Sequence, residues 1–162
     1  MVDEKLNGPI AEEIVLQILK KEGKKVIDNR KKYRAIGDFQ VGNKIIEVKG
    51  HNDPYQGMKN DDFDYVARYI TLSVVEWKFL NKHPERFEVY IVYGLDEKKD
   101  PNYPDWYPPY VVKIKGIELK GKDTNQPTIR VKTLKPFWSD KGKRQHRVSK
   151  SIFEKAKKKY KK

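Results

Sequence analysis

An α/β fold, a mixed β-sheet flanked by helices, is the architecture this sequence predicts, and three stretches predict it. Between Pro9 and Glu22, apolar residues recur at helical spacing. Between Asp38 and Lys49, two alternating segments flank a Gly42-Asn43 link, the pattern of a tight hairpin. Between Ser73 and Pro84, a capped helix separates two extended segments, as a crossover connection does.

The first helix opens with Pro9, which suits a first turn, and Gly23 marks its stop. Ile14, Val15, Ile18 and Leu19 give it one buried face. A short strand is expected over 25–29, then the hairpin strands over 38–41 and 44–49. Residues 50–64 are polar and loop-like, and 65–72 reads as extended. Ser73 and Glu76 form a capping box, with Leu72 and Trp77 placed for a hydrophobic staple. Pro84 ends that helix, and 87–92 is a buried strand. A long loop over 94–109 is rich in Pro, Tyr and Trp. Residues 110–119 and 128–134 are expected to pair antiparallel. A last helix starts near Ser149 or Ser151, with Ile152, Phe153, Ala156 and Tyr160 as a narrow apolar stripe.

The length of 162 residues fits one domain. No run is long enough for a membrane span, and no apolar leader follows the first Met, so an intracellular, cytoplasmic protein is expected. The absence of cysteine excludes disulfides, thiol nucleophiles and thiolate metal sites. High Lys, Glu and Tyr hints at a thermophile. Lys and Arg number 36 against 23 Asp and Glu, a net charge of +13. Residues 141–162 hold 11 basic residues against one acidic, so +10 of that excess lies there. A nearly balanced body over 1–140 and a basic arm over 141–162 point to a polyanion as partner, nucleic acid by default. Lys143, Arg144, Arg147, Lys150, Lys155 and Lys158 are the expected phosphate contacts. The apolar stripe is expected to dock on the body or on a second subunit, as in a homodimer.

The chemistry is argued from the hairpin. With the turn at Gly42-Asn43, Val41 pairs with Lys44, Gln40 with Ile45, Phe39 with Ile46 and Asp38 with Glu47. Phe39, Val41, Ile46 and Val48 then share an apolar face, and Asp38, Gln40, Ile45, Glu47 and Lys49 share the other. Two carboxylates squarely opposed, with Cβ atoms ~5 Å apart, destabilise a hairpin unless something offsets their charge. A hard divalent cation does so. On the first helix, Glu12 lies about 65° from the apolar centroid and Glu13 about 165°. Glu12 is therefore expected at the rim of the sheet and Glu13 in water.

Asp38, eight residues, then Glu47-Val48-Lys49 resembles the Asp…Glu-x-Lys pattern of the PD-(D/E)xK nuclease superfamily. The order of elements over about 9–94 also resembles that family's restriction-endonuclease-like core, αβββαβ. Residues 95–140 would then be a β extension of the nuclease-like domain. Gly8-Pro9-Ile10-Ala11-Glu12 is similar to the helix opening of archaeal Holliday-junction resolvases. Ile46-Glu47-Val48-Lys49-Gly50, Ser73-x-x-Glu76-Trp77 and Val89-Tyr90-Ile91-Val92 are similar to a nuclease-like domain of prokaryotic defence proteins. One departure is Gly37, where the family pattern has proline. The Gln/Tyr helix signature of RecB-like exonucleases is absent.

The resemblance implies a Mg²⁺-dependent endodeoxyribonuclease, with Mn²⁺ able to substitute, in a prokaryotic, archaeal or viral setting of restriction, defence or repair. Asp38, Glu47, the Val48 backbone carbonyl and Glu12 would hold the metal. Lys49 would orient or deprotonate the attacking water, or stabilise the pentacovalent phosphate. The alternatives are a non-catalytic DNA-binding or assembly module of the same fold, and a Holliday-junction resolvase. His51, His83 and His146 are too scattered for a zinc motif, although His51 lies close enough to Lys49 to touch phosphate. Asp61, Asp62 and Asp64 form either a solvated loop or a second cation site. Tyr103, Trp106, Tyr107 and Tyr110 either stack on bases or pack on the sheet. Glu76 serves as cap or as substrate contact.

Overall fold

The computed structural model describes residues 6–51, 69–97, 109–121, 128–133 and 145–160. Helix α1 (Asn7–Lys21) precedes β1 (Val26–Asp28), β2 (Phe39–Val41) and β3 (Lys44–Gly50). Then come β4 (Tyr69–Ser73), α2 (Val74–Lys82) and β5 (Phe87–Tyr93). They are followed by β6 (Tyr110–Lys115), β7 (Leu119–Gly121), β8 (Thr128–Thr133), β9 (Gln145–Arg147) and α3 (Lys150–Tyr160). The main sheet runs β1-β2-β3-β5-β6-β9, and a smaller one runs β4-β8-β7. β3 and β5 pair parallel, and the other described pairs of the main sheet are antiparallel. The protein is therefore α/β with a mixed sheet.

The hairpin has the predicted register: Phe39 faces Ile46, Gln40 faces Ile45 and Val41 faces Lys44. Gly42 sits at φ +60°, the sign a type II′ turn needs at its first central residue. Alternation then assigns the two layers. Phe39, Ile46 and Val48 join Ile10, Ile14 and Leu19 of α1 in one core, which Phe153 and Ala156 of α3 close. Ile45 goes to the other face, with Leu72, Leu80, Val89, Ile91 and Ile114, beneath α2. All seven residues of β5 are buried, as expected of a strand covered on both faces. Each such large apolar side chain contributes roughly 1.5–3 kcal/mol.

Helix α2 starts as its sequence requires. The Ser73 hydroxyl accepts from the Glu76 N–H at 3.2 Å, and Glu76 Oε1 accepts from the Ser73 N–H at 2.8 Å. Leu72 is fully buried, and Trp77 packs against the same core. β4 leads into α2 but pairs with β8 outside the main sheet, so the crossover from β3 to β5 carries a strand of its own.

Two expectations are corrected. The stretch 110–119 is not one strand paired with 128–134. A 3-10 turn at Gly116–Glu118, where Glu118 accepts from the Lys115 N–H at 3.0 Å, breaks it. β6 stays beside β5, and β7 leaves to pair with β8. The basic C-terminal segment, moreover, is part of the body over 145–160. β9 is the edge strand against β6, and Ser149 Oγ accepts from the Ile152 N–H at 3.3 Å to start α3. The apolar stripe docks on the body: Phe153 and Ala156 are buried, with Ile152 and Tyr160 packed beside them. Asp61, Asp62, Asp64, Tyr103, Trp106, Tyr107, Lys143 and Arg144 lie outside the described residues. Among the described residues, no helix is long and apolar enough to cross a membrane.

Candidate active site

Asp38 is aimed by the backbone around it. Gly37 has φ +72°, and a Cβ there would come within 2.5 Å of Ile45 Cγ2. Proline, fixed near φ −65°, cannot occupy this conformation, so glycine at this position has a backbone cause. The Asp38 N–H donates to the Ile46 carbonyl at 2.8 Å, although Ile46 already faces Phe39. Asp38 is thus bulged out of the ladder, and β2 begins one residue later. The expected square pairing of Asp38 with Glu47 is therefore replaced. The Asp38 carboxylate instead accepts from the Val48 N–H at 2.8 Å. A strand residue's N–H and C=O leave on the same side, so the Val48 carbonyl also turns toward Asp38.

Glu12 arrives from α1 because that helix lies very close to the end of β3. A Cβ on Gly50 would sit 2.7 Å from the Asn7 carbonyl and 2.9 Å from Ala11 Cβ. Half-buried, Glu12 lies beside the Asp38 carboxyl. Burial first, and the Asp38 charge second, push its pKa up to about 7. Burial also raises Asp38, against the opposing pull of the Val48 N–H and Lys49.

Glu47 projects from β3 on the α2 side and is 8% exposed. It lies beside Glu76 on α2; burial first, and the contact with Glu76 second, raise its pKa above the usual carboxylate value. Burial acts on Glu76 in the same direction. It is outweighed by the bonds from Glu47 and from the Ser73 N–H and by the Lys49 charge, which keep Glu76 ionised below its ordinary pKa. Glu76 is therefore cap and site residue at once. Lys49 Nζ lies 3.1 Å from Glu47 Oε1. His51 follows on the same face, stacked on Tyr93 at 5.3 Å between ring centroids.

Four carboxyls from α1, the β2 entry, β3 and α2 thus meet one lysine. Three of the carboxyls, Asp38, Glu47 and Glu76, line a cleft of about 270 Å³ together with Ser73, Arg30 and Lys32, among others. Among the described residues, no three acids stand together at metal-ligating distances. The side chains gathered here offer oxygen donors, the ligand type a hard cation takes.

Glu13 is not in water, as the helical wheel expects. It is 4% exposed, because α3 covers the flank of α1 that the wheel leaves open. Glu13 Oε2 accepts from Lys159 at 3.0 Å and lies 3.5 Å from Arg30, and Oε1 accepts from Gln17 at 3.0 Å. Burial is opposed by these partners, which hold its pKa below the ordinary value. Arg30 also clamps Asp28 at 2.6 Å and reaches Glu12 at 3.9 Å.

The basic residues of α3 fall into two groups. Lys157 is buried, 2.9 Å from Glu154 and 3.3 Å from Glu97, and Lys159 is bound to Glu13. Lys150, Lys155 and Lys158 are exposed. Arg147 and His146 belong to the edge strand β9. His83 caps the far end of α2, where its N–H donates to Phe79. Among protein-family models, curated proteins and solved structures, none matches this chain.

Proposed function

We propose that this protein is a metal-dependent endodeoxyribonuclease centred on Asp38, Glu47, Lys49 and Glu12, with a restriction-endonuclease-like core. The observation that carries this function is the convergence of Asp38, Glu47 and Glu76 on one cleft, with Lys49 3.1 Å from Glu47 and Glu12 beside Asp38. Buried acids facing acids are unfavourable by themselves and favourable around a cation. Asp38, Glu47, the Val48 carbonyl and Glu12 would hold Mg²⁺ or Mn²⁺. When bound, such an ion acidifies a water and neutralises charge on the scissile phosphate.

The chain's own groups account for the remaining tasks. The Val48 N–H fixes one Asp38 oxygen and leaves the other for a ligand. Glu76, tied to the Ser73 N–H, holds the Glu47 carboxyl in place. Lys49 presents an ammonium to the attacking water and to the phosphorane charge. DNA is supported as substrate by the net charge of +13 and by the exposed lysines of α3.

The test is cleavage of plasmid, single strand, four-way junction and RNA, with Mg²⁺, with Mn²⁺ and with chelator. Metal-dependent nicking of DNA that Glu47→Ala and Lys49→Ala abolish is expected. Undiminished cleavage by Glu47→Ala would overturn the assignment.

A further inference from the structure

We propose that the loop joining β1 to β2 is a strand clamp that seats an unpaired nucleotide of the DNA substrate beside the carboxylates, with Tyr33 stacked on its base. This rests on the nuclease function above and specifies its substrate. Between Asn29 and Gly37 the loop carries Arg30, Lys31, Lys32 and Arg34 and no acidic residue. Lys32, Ala35, Ile36 and Gly37 line the same cleft as Asp38, Glu47 and Glu76, so the loop forms its wall.

The loop is built to present its tip. The Lys32 N–H donates to the Asn29 carbonyl at 3.0 Å, and the Ala35 N–H to the Lys32 carbonyl at 3.4 Å, giving two successive turns. Tyr33 and Arg34 occupy the centre of the second. Arg34 takes φ +58°, a place where type II turns favour glycine or asparagine. Its guanidinium lies 5.0 Å over the Tyr33 ring. Tyr33 is 87% exposed, above Ile117 at 59% and Val75 at 56%. The root of the loop is fixed by contrast: Arg30 bonds Asp28 and lies 5.1 Å over the Phe39 ring.

Cations that follow phosphates, interleaved with an open aromatic face, are the chemistry of single-stranded DNA binding. Bases within a duplex are already stacked on both faces, so Tyr33 engages one that is unpaired. Stacking on a single aromatic changes affinity roughly tenfold.

The experiment measures binding in chelator, where no cleavage occurs. One sequence is used as full duplex, as a duplex with a single-base bulge, and as single strand, with 2-aminopurine at the unpaired position. The wild type and Tyr33→Phe should bind the bulge and the single strand about tenfold more tightly than duplex, with quenched 2-aminopurine fluorescence. Tyr33→Ala, with an unchanged melting temperature, should lose both the preference and the quenching. Retention of both by Tyr33→Ala overturns the clamp; if cleavage still depends on Glu47, the nuclease function survives that failure. No oligonucleotide binding by the wild type at low salt overturns both, and leaves the loop as a surface for a protein partner.

Discussion

Glu12 and Glu13 are neighbours on one helix and belong to opposite kinds of charge cluster. Glu13 lies among Arg30, Lys159 and Gln17, and its partners hold it ionised. Glu12 faces Asp38, across the site from Glu47 with Glu76, and burial raises the pKa of Glu12, Asp38 and Glu47. The first cluster is balanced within the chain, which is how an ion network serves a fold. The second has more acid than base, which is how a site waits for a cation. Burial is similar for Glu13 and Glu47, so depth alone does not separate the two roles.

The largest effect should come from removing a site acid. Asp38→Ala or Glu47→Ala should lower the cleavage rate by about 10²–10⁴-fold without lowering the melting temperature of the metal-free protein. Glu13→Gln should leave the rate at saturating DNA within a few-fold, and equal losses of activity would break the comparison. Next, Glu76→Gln keeps the helix cap but weakens the hold on Glu47. Mn²⁺ affinity by calorimetry should fall about 10–100-fold.

Stability should then separate the clusters with opposite signs of pH dependence. Glu12, Asp38 and Glu47 have raised pKa values in the fold, so protons leave the unfolded chain first. Their contribution is complete below about pH 4.5 and is lost as pH rises through about 7 and beyond. Glu13 has a lowered pKa, so its contribution is present above about pH 4.5 and is lost in acid. Glu47→Gln should flatten the alkaline fall of the metal-free melting curve, and Glu13→Gln the acid fall. Glu13→Gln should also destabilise at neutral pH by about 1–3 kcal/mol, or roughly 2–4 °C for each kcal/mol. The smallest effect belongs to α3. Neutralising Lys150, Lys155 and Lys158 together should reduce the slope of log K against log salt by up to about 3, with unchanged turnover. Deleting the segment from Arg147 onward is not an equivalent test, because it removes the last residue of β9 and the cover of α1.

Much of this was legible where the chain's signals are local. The hairpin register follows from Gly42-Asn43 and period-2 alternation, the α2 start from Ser73 and Glu76, and the rim position of Glu12 from the helical wheel. What failed was non-local. The wheel assigned Glu13 to water because it measures one apolar face, and the second partner of α1 lies at the other end of the chain. The bulge at Asp38 depends on a backbone hydrogen bond that composition does not encode. Gly116 marked a break in 110–119 that the apolar pattern on either side concealed. The clamp loop passed unnoticed because four cations in a row of seven residues do not stand out in a chain with 36. Glu76 was visible, but its capping box explained it fully until Glu47 was placed beside it.

The bond between Lys159 and Glu13 joins residues 146 positions apart. Chains whose stabilising contacts are so distant in sequence fold slowly, because the loop must close before the contact forms. Synthesis runs from the N-terminus, so the carboxylate hairpin leaves the ribosome long before the helix that seals α1 over it. Glu13, shared between Arg30 and Lys159, lacks one of its cations until then. A nascent chain therefore carries Glu12, Asp38, Glu47 and Lys49 in an unsealed frame until α3 has emerged.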